Sequence, residues 1–121
     1  LDPRNADGAR GEAIAVEYLT TRGLRVIARN VRYRVGELDI VAEDEGALVF
    51  VEVRSRNRRN GPRAEDTVTF AKQWKLSRAA RMYWARYRGA CRHARFDVVA
   101  VDLTSSRVVG YHRAAFELRG E

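Results

Sequence analysis

Two apolar runs that carry acids, Gly36-Glu37-Leu38-Asp39-Ile40-Val41 and Val49-Phe50-Val51-Glu52-Val53-Arg54, are separated by the short segment Ala42-Glu43-Asp44-Glu45-Gly46-Ala47. Gly46 can take the positive φ that a two-residue hairpin turn demands, so the runs are expected to form an antiparallel hairpin with Glu45-Gly46 as its loop. That register pairs Asp44 with Ala47, and counting outward sets Asp39 opposite Glu52 and Glu37 opposite Arg54. Side chains alternate along a strand, so Glu37, Asp39, Glu52 and Arg54 are expected on one face, with Leu38 and Ile40 on the other. Burying such carboxylates costs roughly several kcal/mol per ion without a compensating cation. Neighbouring like charges also raise one another's pKa. A bound Mg²⁺ or Mn²⁺ meets that need. The alternative is a Glu37–Arg54 cross-strand ion pair, with Asp39 and Glu52 at solvated strand ends.

Around this hairpin the pattern predicts a helix over 9–22, ended by Gly23, and a strand over 24–31. Residues 55–66 read as a loop containing Asn60-Gly61-Pro62, and residues 67–88 as a second helix. The second helix has an apolar stripe of Leu76, Ala80, Tyr83 and Tyr87, and its neighbours Trp74 and Trp84 are expected in the core. Residues 95–102 and 108–116 read as strands, the last at an edge. The order is αβββαβ plus a final strand. The crossover through the second helix makes the strands on either side of it parallel, in a mixed sheet flanked by helices. One domain is expected over 1–121, since a chain of this length buries roughly 65% of its unfolded surface without disulfides.

The segments Gly11-Glu12, Gly36-Glu37-Leu38-Asp39, Phe50-Val51-Glu52-Val53-Arg54, Lys72-Gln73 with Leu76, and Arg95-Phe96-Asp97-Val98-Val99 resemble, in order and spacing, the PD-(D/E)XK nuclease superfamily. They are most similar to its YraN-like group of predicted endonucleases, relatives of archaeal Holliday-junction resolvases. The resemblance implies a restriction-endonuclease-like core and an Mg²⁺ (or Mn²⁺) dependent endonuclease acting on DNA, branched or structured DNA included. It implies Asp39 and Glu52 as metal ligands with the carbonyl of Val53, Glu12 as an accessory acid and Glu37 beside them. Arg54 stands where the family has Lys. Arginine stabilises charge on a phosphate but is too basic to deprotonate water, which keeps a second reading open: a nuclease-fold protein that binds nucleic acid with impaired catalysis. Lys72 is the candidate for the missing ammonium. A homodimer, through an exposed edge strand or helix, is also implied.

The formal charge of +7 suits a polyanion, with 23 Lys and Arg against 16 Asp and Glu. Arg56, Arg58, Arg59 and Arg63 follow the acidic strand and Lys75 follows Lys72, so these five are the expected nucleic-acid contacts, largely independent of base sequence. Cys91 is the sole cysteine and has no metal-ligand spacing around it. Neither histidine, His93 or His112, sits in a nucleophile motif. No run approaches the roughly 18 apolar residues of a membrane span and no signal segment is evident, so a cytoplasmic protein without a membrane partner is expected.

Overall fold

A computed structural model of the chain describes residues 3–57 and 68–117. Helix α1 (Pro3–Thr21) leads into β1 (Arg25–Tyr33), β2 (Gly36–Asp44) and β3 (Ala47–Arg56). Helix α2 (Phe70–Arg86), β4 (His93–Asp102) and β5 (Arg107–Phe116) complete it. The five strands form one mixed sheet in the order β1-β2-β3-β4-β5. β3 and β4 are parallel, and the other neighbours are antiparallel. This is the expected α/β arrangement, with the final strand formed at the edge.

The hairpin turns where expected. Glu45 (φ 47) and Gly46 (φ 89) are both in the left-handed region that a tight hairpin turn requires. The ladder runs from Asp44↔Ala47 to Ile40↔Val51 in the expected register. Past that pair, the Val53 N–H donates to Oδ2 of Asp39 at 2.9 Å. A side chain has replaced the ladder, so the expected pairings of Asp39 with Glu52 and of Glu37 with Arg54 are not part of it, and Glu37 lies opposite Arg32 of β1 instead.

Each face of the sheet is covered by a helix, which is why β4 reads as an almost continuous apolar run. Ala15 and Leu19 of α1 pack with Ile40, Ala42, Val49, Val51, Val99 and Val101. Leu76, Ala79 and Ala80 of α2 pack with Leu38, Val41, Leu48, Phe50, Phe96 and Val98. Leu38 and Ile40 therefore belong to opposite faces, which corrects the simple alternation expected of them. The irregularity falls beside Asn30 of β1 (φ 51), which lies between the ladder partners of Ile40 and Leu38.

A second correction concerns the tryptophans. Trp74 and Trp84 are 49% and 36% exposed rather than buried. The buried face of α2 is centred on Leu76, Ala79 and Ala80, and Trp74 lies across the helix from it. Trp84 instead stacks on Tyr87 with ring centroids 5.7 Å apart. Asp97, wholly buried in β4, is held by Arg95 at 3.0 Å, the Tyr111 hydroxyl at 2.6 Å and the Ala114 N–H at 2.9 Å. It is a structural ion-pair anchor. Among the described residues no helix is long and apolar enough to cross a membrane.

Candidate functional site

One open cleft gathers residues from both helices and from β2 and β3: Glu12, Asp39, Glu52, Arg54, Arg56 and Lys72 are among those lining it. Two glycines bring the helices in. A Cβ on buried Gly11 would stand 1.9 Å from Oγ of Ser55, so α1 rests directly on the end of β3 and its next residue, Glu12, enters the cleft. A Cβ on Gly36 would stand 2.8 Å from the carbonyl oxygen of Lys75, so α2 crosses the start of β2 backbone to backbone. One turn earlier, where Thr69 caps the helix by accepting from the Lys72 N–H at 3.1 Å, the Lys72 side chain reaches Glu52. Its Nζ lies 3.5 Å from Oε2.

Glu12, Glu37 and Asp39 each offer a carboxylate oxygen within 4.8 Å of the others, a spacing that could hold a metal ion. Burial, and then the neighbouring Glu52 charge, push the Asp39 carboxyl up to about 8, opposed by the Val53 N–H. Burial also raises Glu12, with Glu37 and Glu52 adding to it and Asn30 and Arg29 opposing. Asn30, in its left-handed conformation, thus supplies a hydrogen bond to the helix acid across β1. Glu37 is partly neutralised by Arg32 at 2.9 Å. Glu52, only 5% exposed, faces Arg54 at 3.3 Å as well as Lys72, both on the same oxygen. Clustered hard oxygen donors beside paired cations suit a divalent ion and a phosphate together.

The pattern of the uncharacterised protein family UPF0102 matches residues 11–101, a span that contains every residue of the cleft just described except those at the very start of α1 and Leu103. The chain belongs to the UPF0102 family. A UPF0102 protein of Symbiobacterium thermophilum is 50% identical over 95 residues, covering 78% of this chain and 80% of its own. One from Bordetella avium is 43% identical over 116 residues, covering 96% and 78%. One from Nocardia farcinica is 36% identical over 115 residues, covering 93% and 91%.

In this UPF0102 member the structure brings together Glu12, Asp39, Glu52, Val53, Arg54, Arg56 and Lys72. Glu37 reaches Glu12 and Asp39 from the sheet side. Lys75 is exposed on α2 outside the lining, with its carbonyl against Gly36. Arg58, Arg59 and Arg63 lie outside the described residues. Sequence reasoning missed Ser55, Asn57 and the first turns of α1 at Asp7 and Gly8, which also line the cleft. It missed too that Asn30 serves Glu12; an asparagine inside a β-branched strand was the available signal, since Asn is enriched at positive φ.

Proposed function

We propose that this UPF0102 protein is a metal-dependent endonuclease hydrolysing phosphodiester bonds of DNA, branched or structured DNA included. In this reading its helix-flanked sheet is a restriction-endonuclease-like core of the PD-(D/E)XK superfamily. The observation that carries the proposal is the convergence of Glu12, Glu37 and Asp39 within 4.8 Å at a cleft that Glu12 and Asp39 line together with Arg54 and Lys72.

The donor set fits Mg²⁺ or Mn²⁺. It consists of hard carboxylate oxygens, one of them on Asp39, which burial and Glu52 push up to about 8 and whose charged form a cation would favour. Asp39 would hold the ion together with Glu52 and the Val53 carbonyl, and Glu12 and Glu37 would offer further carboxylate oxygens. When bound, such an ion would supply polarisation of a phosphoryl oxygen and a lowered pKa for the water that becomes the nucleophile. Arg54 binds the phosphate and neutralises its growing charge, while Arg56 and Lys75 steady the flanking backbone. Lys72 adds a second cation beside the phosphate, from the Glu52 side of the cleft. The ammonium absent from position 54 is thus supplied from α2, at the same Glu52 oxygen.

That shared oxygen also favours a second reading. Arg54 and Lys72 together neutralise Glu52, as they would in a protein that holds nucleic acid without cutting it. Nicking of supercoiled plasmid and of branched DNA in Mg²⁺, Mn²⁺ or EDTA separates the two. Metal-dependent cleavage, lost in Asp39→Ala and Glu52→Ala, is the expected result. Salt-sensitive binding with no cleavage by the wild type would move the conclusion to the binding protein, and cleavage appearing only in Arg54→Lys would locate the loss at that position.

A further inference from the structure

The cleft uses one side of α2 and leaves its outer face unexplained. Helix α2 carries Lys72, Lys75, Arg78, Arg81 and Arg86 and contains no acid in its 17 residues. Solvated helices ordinarily mix charge signs, and cations near the N-terminus oppose the positive end of the helix dipole. Such a helix is complementary to a polyanion.

Its outward stripe is not merely basic. Phe70, Trp74 and Arg78 follow one another four residues apart, and Arg81 and Met82 continue the same face. Phe70 is 67% exposed and Trp74 is 49% exposed. Trp74, Arg78, Arg81 and Met82 line a shallow hollow with Val35 of the β1–β2 turn, again with no acid among them. Aromatic faces interleaved with guanidinium groups suit exposed bases and the phosphates between them, whereas a duplex keeps its base faces stacked out of reach.

We propose that the outer face of α2 is a stacking track for an unpaired nucleic-acid strand. Phe70 and Trp74 take base faces, and Lys75, Arg78 and Arg81 take phosphates. Phe70 opens the track in the first turn of α2, the same turn from which Lys72 reaches Glu52 on the opposite side, so a strand rounding the start of the helix joins the track to the cleft. This rests on the endonuclease reading and narrows it to substrates with unpaired bases next to the cut, such as a fork, a flap or a single strand.

The chain has two tryptophans, so Trp84→Phe leaves Trp74 as the sole indole reporter. In EDTA, to prevent cleavage, this protein is titrated with an oligothymidine single strand and with a blunt duplex of equal length. Quenching by the single strand and not by the duplex is expected. Trp74→Ala should weaken single-strand binding roughly tenfold and leave duplex binding unchanged, and Trp74→Phe should restore most of the loss. Circular dichroism melting confirms that each variant is folded. Absence of quenching, or equal loss on both DNAs, overturns the track. So does a fall in sedimenting mass on Trp74→Ala, which would assign the face to a second copy of the chain. Duplex binding and metal-dependent cleavage that persist while Trp74 stays silent overturn the track alone, whereas failure to bind either DNA overturns the endonuclease reading with it.

Discussion

Asp39 ionises near pH 8 in the folded chain against 3.8 for a free aspartate side chain. Between those values the folded state keeps a proton that the unfolded state has released. The contribution of Asp39 to stability is therefore greatest below its unfolded pKa and declines as pH rises through the window, reaching its floor above the folded pKa. A divalent ion competes with that proton and is expected to stabilise the protein more at pH 8 than at pH 6. Thermal melts without divalent ions should show Tm falling from pH 5 to pH 8. Asp39→Asn should flatten this slope and raise Tm at pH 8 by several degrees, on the order of 5 °C, while abolishing the response to Mn²⁺. A wild-type profile with no slope would mean the carboxyl is not raised. At Lys72 the expectation is catalytic: Lys72→Met should lower cleavage roughly 10²-fold, in the range for removing one charge-stabilising donor. Unchanged cleavage in single-turnover assays would remove Lys72 from the mechanism.

At the scale of elements, the site depends on how closely two helices approach the sheet, and glycine sets both distances. In α1 the same substitution should have opposite effects three residues apart. Gly8 has open space where a Cβ would go, so Gly8→Ala should stabilise by roughly 0.5–1 kcal/mol through helix propensity. Gly11 has Ser55 in that space, so Gly11→Ala should destabilise by about 1–3 kcal/mol. Urea denaturation of both variants checks the contrast, and two stabilised proteins would show that α1 can move freely. Gly36→Ala meets a backbone carbonyl, which cannot rotate away. It should shift α2, withdraw Lys72 from Glu52 and impair cleavage more than DNA binding. From the sequence, Gly36 was visible only as the neighbour of an acid and Gly11 read as a helix-entry residue, whereas it lies inside α1. Their packing role was not visible, because it depends on which element lies across from each.

For the whole molecule, the charge of +7 predicts an affinity for DNA that drops with salt, by at least roughly tenfold between 50 and 200 mM in a filter-binding titration. A flat salt response would exclude phosphate contacts as the main term. The sequence by itself determined the element order, the hairpin register about Glu45-Gly46, the parallel crossover and the nearness of Asp39 to Glu52, which line one cleft. These follow from patterns of period two and 3.6 and from turn chemistry, all of which act over a few residues. Tertiary structure alone decided which partner each acid takes. Glu52 meets Lys72 and Arg54, Glu12 and Glu37 join Asp39, and Leu38 and Ile40 part to opposite faces. It also turned Trp74 outward and buried Asp97 beneath Arg95 and Tyr111. Those outcomes arise where strand ends leave their ladder and helices dock from both sides. There a side chain's direction is set by residues distant in the chain, and no local periodicity encodes it.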